Sequence, residues 1–115
     1  MLGTFSHTGI IVDDLPGAME RYRSAFGYAW LDPVESSSPL TTHCGILPRR
    51  CMVALSVQTP RIELIAITDS TAYDAIPGGR SPNHVAYAVD DLDAAVATLE
   101  HSGFVRRLGG RDDGG

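Results

Sequence analysis

Hydrophobic and polar residues follow two periodicities along the chain, and the two occur in the same order twice. Alternating residues from Phe5 to Val12 predict a β-strand, and apolar residues at helical spacing then predict a helix that ends at Gly27. A second alternating stretch begins at Asn83, and a second helical pattern follows it and ends at Gly103. The pattern therefore indicates two copies of a strand–helix unit.

The two copies also share a run of identical residues. His-Thr-Gly-Ile-Ile-Val-Asp-Asp-Leu at residues 7–15 matches His-Val-Ala-Tyr-Ala-Val-Asp-Asp-Leu at residues 84–92. In each copy the second Asp precedes the helix, where its side chain is expected to cap the first turn. A polar His kept at matched positions of an otherwise apolar strand indicates a function for its side chain.

The residues between the two copies predict further strands. Residues 28–34, 51–57 and 61–67 have strand composition, and a turn at Pro60 joins the last two into an antiparallel hairpin. Residues 35–40, with three serines and a proline, predict a loop. The first copy therefore reads as a β-α-β-β-β module.

The second copy is shorter. After its helix, only Phe104 and Val105 suggest a strand before a glycine-rich end, so it reads as β-α-β. We therefore expect one α+β domain. It would consist of a first βαβββ module at residues 1–68, a linker at 69–82 and an incomplete second module at 83–115.

Strand alternation groups two histidines with small neighbours. Gly9 shares a face with His7, and Ala86 shares a face with His84, whereas the opposite face is bulky. If helices pack on the bulky face, both imidazoles would line a concavity on the other. Glu63 is a carboxylate in an otherwise apolar strand, where burial is costly unless the charge is paired or binds a metal. Two imidazoles and a carboxylate suit Zn, Fe, Co, Ni or Mn and leave positions open for water or substrate.

The same residues also have purely structural interpretations. A single strand His is more often a hydrogen-bonded core residue than a ligand, and Glu63 could instead form a salt bridge with Arg61. Cys44 and Cys51 do not make a disulfide framework. We expect both to be free thiols that pack as small hydrophobic residues.

Composition excludes several function classes. The net charge is −5, and the basic clusters, at residues 49–50 and 106–107, contain two arginines each, which argues against a nucleic-acid partner. No apolar run approaches the ~20 residues of a spanning helix, and the N-terminus lacks the pattern of a secretory signal. We expect a cytoplasmic protein with a small-molecule substrate and no membrane partner.

The ordered set of motifs resembles the vicinal oxygen chelate superfamily. The resemblance rests on the His-x-x-x-x-Val-Asp-Asp-Leu phrase and its helix, the Ile-Glu-Leu-Ile strand at residues 62–65 and the second His phrase. The superfamily includes glyoxalase I, methylmalonyl-CoA epimerase, extradiol dioxygenases and bleomycin or fosfomycin resistance proteins. The stretch at residues 61–103 looks most similar to the methylmalonyl-CoA epimerase-like branch.

The resemblance implies paired βαβββ modules that form a cupped sheet around a divalent metal, with His7, Glu63 and His84 at three ligand positions. It implies a lyase, isomerase or epimerase acting on a small carbonyl or acyl-thioester substrate, whose enolate the metal stabilises. Arg49 or Arg50 would then meet an anionic group of the substrate. The alternatives are a metal-free protein that sequesters a small molecule or drug, and an inactive fragment of a longer protein.

The chain departs from the family pattern in two ways. The fourth ligand of the family is a Glu on the last strand of the second module, and the matching position lies beyond residue 115. Where epimerase-like members place a proton-transferring Glu, the chain has Arg49-Arg50 after a proline. We expect either a fragment of a longer protein or a homodimer whose partner completes the sheet and the site, and we favour the first.

Overall fold

A computed structural model describes residues 3–75, 83–106 and 109–110 of the protein. In chain order the elements are β1 (Thr4–Ile11), α1 (Leu15–Phe26), β2 (Val34–Ser36), β3 (Leu40–Thr42), β4 (Gly45–Leu47), β5 (Arg50–Leu55), β6 (Ile62–Asp69), α2 (Thr71–Asp74), β7 (Asn83–Ala88), α3 (Leu92–His101) and β8 (Gly109–Gly110). None of the helices in these ranges is long and apolar enough to cross a membrane.

Five strands form the main sheet, in the order β2-β5-β6-β1-β7. β1 and β6 are parallel, and the other neighbouring pairs in this sheet are antiparallel. A small second sheet has the order β4-β3-β8. This arrangement confirms the predicted α+β class, including the β5–β6 hairpin. It also places the first strand of the second copy, β7, directly beside the first strand of the first copy, β1.

The repeated Asp-Asp pair has the predicted capping function. Asp14 accepts a hydrogen bond from the backbone N–H of Gly17 at 3.2 Å, and Asp91 accepts one from Ala94 at 3.0 Å. Each carboxylate therefore satisfies a backbone N–H that the first turn of a helix leaves without an intrahelical partner. Gly27 ends α1 in the left-handed conformation, with φ of 74°, which residues with a Cβ rarely adopt.

The core lies between α1 and one face of the main sheet. Leu15 and Ala18 of α1 pack against Ala54 of β5 and Leu64 of β6, and Leu64 is fully buried. Because side chains alternate along β6, the burial of Leu64 on this face leaves Glu63 on the opposite one. The helix-covered face is thus the bulky face that the sequence predicts for the first module.

The second copy is less covered. On β7, Val85 and Tyr87 occupy the face opposite His84, and they are 56% and 61% exposed. Helix α3 buries Ala95, whereas Leu92 remains exposed. The expectation that helices cover the bulky face is therefore met in the first module and, within the described residues, not at β7.

The sequence-based strand boundaries are wrong in places. Residues 28–34 form no continuous strand: Trp30 makes an isolated bridge to Ser56, and β2 begins only at Val34. The indole of Trp30 donates to the backbone oxygen of Met19 on α1 at 3.0 Å, so packing against the helix determines this segment. Residues 35–40 are not wholly a loop, because β2 and β3 each take part of them.

Two further predictions concern the second module and the linker. Phe104 and Val105 lie outside any strand and are 65% and 69% exposed, so the predicted strand there is wrong. The short strand after α3 is instead β8, which pairs with β3. The predicted linker at 69–82 contains α2, and its residues 76–82 lie outside the described residues.

Candidate metal centre

Three adjacent strands bring His7, Glu63 and His84 to one face of the sheet. Gly9 on β1 pairs with Glu63 of β6 on one side and with His84 of β7 on the other. Paired residues of neighbouring strands project to the same face, and His7 lies two residues from Gly9 on the same strand. The pairing of β1 with both β6 and β7 therefore assembles the three side chains.

The three side chains offer ligand atoms at short mutual distances. One ligand atom from each of His7, Glu63 and His84 lies within 4.8 Å of the other two. Nε2 of His7 is 3.7 Å from Oε1 of Glu63, and the two imidazole rings have centroids 5.9 Å apart and planes 78° apart. The His7 and Glu63 side chains are 20% and 24% exposed, whereas His84 is an exposed residue. Solvent or a ligand can thus reach the group from the His84 side.

Gly9 makes room for one of the imidazoles. A Cβ placed on Gly9 would overlap the ring of His84, and all three of its nearest neighbours would be atoms of that ring. The ring of His84 therefore lies across the backbone of β1, in space that any larger residue would fill. The sequence signal for this arrangement is the small residue two positions after each His. Strand alternation alone does not show which imidazole occupies the space.

A β-bulge at Ser6 adjusts the position of His7. Phe5 pairs with Tyr87 and His7 with Ala86, so Ser6 is the extra residue on β1. The Ser6 hydroxyl hydrogen-bonds to Nδ1 of His7 at 2.9 Å, which leaves Nε2 directed toward Glu63. Bulges commonly re-aim side chains next to functional sites. Regular alternation hides this feature, because it places Phe5 on the same face as His7.

A cavity of about 720 Å³ adjoins the three side chains. Its lining includes Glu63 and His84, the apolar residues Val53 and Ile65, and a polar group from β2, β5, α2 and the segments that precede β3 and β5. That polar group comprises Glu35, Ser36, Ser37, Ser38, Arg49, Cys51 and Tyr73. The ligand atoms therefore border a space large enough for a small molecule.

The structure separates the two arginines that the sequence offered as substrate-binding candidates. Arg49 lines the cavity: Nη2 donates to Oγ of Ser36 at 2.8 Å and Nε donates to the backbone oxygen of Ser38 at 3.0 Å. Arg50 forms an exposed ion pair with Glu35 at 3.4 Å. Glu35 is among the residues that line the cavity, whereas Arg50 is not.

Burial raises the pKa of the Cys51 thiol and of the Tyr73 hydroxyl, both of which line the cavity. The guanidinium of Arg49, 3.7 Å from Sγ of Cys51 and 3.5 Å from the Tyr73 oxygen, opposes both shifts. Desolvation outweighs this attraction, so both groups remain protonated near neutral pH. Cys51 is a buried free thiol, as expected, whereas Cys44 is free but exposed, so its predicted packing is wrong.

The donor set fits a divalent transition ion. Imidazole nitrogen and carboxylate oxygen bind zinc, iron, cobalt and nickel, and three protein ligands leave coordination positions for water or substrate. A metal with bonds of about 2.1 Å holds its ligand atoms about 3.0–3.4 Å apart. The 3.7 Å separation of Nε2 of His7 and Oε1 of Glu63 is slightly larger, and a small side-chain rotation would close it.

Sequence reasoning identified the three ligand candidates and Arg49 but missed three residues that shape the site. Ser6 and Tyr73 have no signal in the hydrophobic pattern, and Ser36 lies in a stretch that reads as a loop. Each of the three reaches its place through pairing or packing with residues distant in sequence.

Comparison with known proteins gives a family but no individual relative. Searches of curated proteins and of solved structures found no match. The family model of the Glyoxalase/Bleomycin resistance protein/Dioxygenase superfamily matches residues 6–113. This match does not distinguish the methylmalonyl-CoA epimerase-like branch from the others. It spans both strand–helix copies and all three ligand candidates, and the chain therefore belongs to this superfamily.

Proposed function

We propose that the chain binds a divalent transition metal through His7, Glu63 and His84 and uses it to hold a small substrate with adjacent oxygen atoms. The supporting observation is the convergence of three ligand atoms within 4.8 Å of one another on one face of the sheet. Two of the three residues, Glu63 and His84, also line the cavity, so the open side of such a site faces the space a substrate would occupy.

A bound divalent ion would supply Lewis-acid polarisation of a carbonyl and stabilise negative charge on its oxygen. The protein's own residues would position the substrate. Ser6 orients His7 through its hydrogen bond, and Val53 and Ile65 give the cavity an apolar wall that excludes water. This division of roles suits a lyase, isomerase or epimerase that acts next to a carbonyl, with zinc, cobalt, nickel, manganese or iron as the metal.

A second candidate function is metal-assisted or metal-free sequestration of a small molecule. Proton transfer next to a carbonyl needs a general base, and few of the ionisable groups that line the cavity can act as one. Within the described residues, Glu35 is paired with Arg50, while Cys51 and Tyr73 have raised pKa values that keep them protonated. This set of groups favours binding over proton abstraction, in the manner of resistance proteins that sequester a drug.

Metal content tests the proposal directly. Equilibrium dialysis against zinc, cobalt, nickel and manganese, followed by elemental analysis, should give about one ion per chain for the parent protein. His7→Ala and His84→Ala should each lose most of the bound metal, because two remaining ligands hold a divalent ion weakly. His101→Ala, at the exposed end of α3, is the matched control and should bind as the parent does. Equal metal content in all four proteins would refute the metal site.

Solvent exchange separates the two candidate functions. The metal-loaded protein would be incubated in deuterium oxide with a small α-hydroxy ketone, and loss of the proton next to the carbonyl would be followed by NMR. If exchange is faster with the parent protein than with the His84→Ala variant, an isomerase or lyase is supported. Binding of the ketone without exchange would support sequestration.

A further inference from the structure

We propose that the cavity selects two-ended ligands, with an oxygen chelate at the metal end and an anionic group at Arg49. This inference rests on the proposed metal function for the first end only. The second end depends on Arg49 and its surroundings, and the two can be tested separately.

Arg49 is held in place by uncharged groups. Its guanidinium donates to Oγ of Ser36 at 2.8 Å and to the backbone oxygen of Ser38 at 3.0 Å, and lies 3.5 Å from the Tyr73 oxygen. The ion pairs among the described residues are His7–Glu63, Arg23–Glu20 and Arg50–Glu35, so no carboxylate in these ranges lies within 4.0 Å of Arg49. A half-buried guanidinium that is already oriented, and that has no counter-ion among the described residues, is a preformed anion site.

Arg50 provides an internal comparison. It is the neighbouring arginine, but it does not line the cavity and has Glu35 as its partner at 3.4 Å. The side chains of both Arg50 and Glu35 are more than half exposed, so solvent screens their charges. The two adjacent arginines therefore differ in the feature that matters for ligand binding, because only Arg49 lines the cavity and, within the described residues, only Arg50 has a carboxylate partner.

Apolar side chains separate the two ends of the cavity. Val53 pairs with Ile65, and Cys51, which contacts Arg49, pairs with Ile67. Ile67 lies four residues beyond Glu63 on β6, which places the Arg49 end on the order of 13 Å along the strand from the metal end. A ligand that uses both ends would need an apolar linker of that order, about eight methylene groups in an extended chain.

The test compares paired probes on the cobalt-loaded protein. The first probe is a 2-hydroxy dicarboxylic acid with a linker of about eight methylene groups, and the second is the 2-hydroxy monocarboxylic acid of the same length. The visible absorption of cobalt reports whether the hydroxy-acid head binds the metal, and calorimetry gives Kd. A short pair, with a linker of about two methylene groups, repeats the comparison where the tail cannot reach Arg49.

We expect the long diacid to bind about tenfold or more tighter than the long monoacid, and the short pair to show no such preference. Arg49→Gln should bring the ratio of the Kd values of the long monoacid and the long diacid to about one, whereas Arg50→Gln should leave this ratio unchanged. Arg49→Lys keeps the charge and should retain part of the preference.

The outcomes distinguish this inference from the proposed function. If the parent protein binds no cobalt, the proposed metal site is wrong. If it binds cobalt and the heads of both long probes, but with equal Kd, the two-ended selection is wrong while the metal site stands. The Kd ratio of the parent protein is sufficient to decide between these outcomes, even if Arg49→Gln fails to fold.

Discussion

Neither Ser6 nor Gly9 is a ligand of the proposed metal, but each determines the position of an imidazole ring. Ser6 is the extra residue of a β-bulge and hydrogen-bonds to Nδ1 of His7 at 2.9 Å. Gly9 lies in register between Glu63 and His84 and leaves the space that the His84 ring occupies. At this scale the site depends as much on these two supporting residues as on the ligands themselves.

Gly9→Ala should abolish most metal binding without unfolding the protein. The added Cβ would overlap the His84 ring and displace it from the group. Equilibrium dialysis measures the loss, and far-UV circular dichroism checks the fold. In a His84→Ala background the same change should have no further effect on metal affinity, because the ring it displaces is gone. Additive losses in the double variant would show that Gly9 acts through something other than His84.

Ser6→Ala should weaken metal binding by about tenfold and leave the ligand set intact. The substitution removes the hydrogen bond that holds Nδ1 of His7, so the ring gains rotational freedom and its Nε2 is less often directed toward Glu63. Competition against a coloured zinc chelator measures the change in affinity. Ser102→Ala, at the exposed end of α3, serves as the control. An affinity equal to that of the parent would mean that Ser6 has no orienting role.

Cys51 should react with iodoacetamide much more slowly than Cys44 at pH 8. Burial raises the pKa of the Cys51 thiol, whereas Cys44 is exposed, so little reactive thiolate forms at Cys51 and reagent reaches it poorly. Peptide mass spectrometry measures both rates. Because the folded state favours the protonated thiol, protonated Cys51 makes its full contribution to folding stability below the ordinary thiol pKa. This contribution is lost as the pH rises through the raised pKa. Equal labelling rates would contradict this assignment.

At the scale of elements, the repeated Asp-Asp pair marks where a strand ends and a helix begins. In both copies the second Asp is the N-cap, and it lies at the same distance in sequence from the candidate ligand His. The cap stops the strand and starts the helix at a defined residue, which fixes the register of the apolar helix face against the sheet. The shared phrase therefore combines a site residue with the local signal that ends its strand.

Asp14→Ala should lower the free energy of unfolding by about 1 kcal/mol, because the backbone N–H of Gly17 loses its hydrogen-bond acceptor. Urea unfolding followed by circular dichroism measures the change. Asp13→Ala is the matched control: Asp13 is the adjacent exposed carboxylate and does not cap α1, so its removal should change stability much less. Equal losses in the two variants would assign the effect to net charge instead of the cap.

At the scale of the whole molecule, the candidate site lies where the two strand–helix copies meet. β1 pairs with β6 of its own copy and with β7 of the other, and each of these three strands supplies one ligand candidate. A metal bound there would connect the two copies across the β1–β7 pair, at one end of the sheet. Since β7 and α3 bury little apolar surface among the described residues, such a connection would stabilise the second copy in particular.

Zinc at about a hundredfold excess over its Kd should raise Tm by roughly 10 °C, because a ligand that binds only the folded state stabilises it by mass action. Differential scanning fluorimetry with and without zinc measures the shift. The His101→Ala variant should respond as the parent does, whereas His7→Ala and His84→Ala should respond little. A parent Tm that is indifferent to zinc, cobalt and nickel would contradict a metal that joins the two copies.

Much of this fold is predictable from the sequence because its signals are local. The alternation of β1 and β6, the helix caps at Asp14 and Asp91 and the left-handed Gly27 depend on residues within one turn or strand. The face assignments follow from the same periodicity, and they placed His7 and His84 on the same side as their small neighbours Gly9 and Ala86. The elements that failed, at residues 28–34 and at Phe104 and Val105, have weak local patterns and depend on distant partners.

The sequence by itself thus determined the repeat, the extents of α1 and α3, the α+β class and three ligand candidates. Only the tertiary structure decided that β1 lies between β6 and β7, that the Ser6 bulge orients His7, and that Arg49, unlike Arg50, lines the cavity. The physical reason is range: propensity and periodicity act between near neighbours in the chain, whereas strand order, register and the contents of a cavity are set by contacts between residues far apart in sequence.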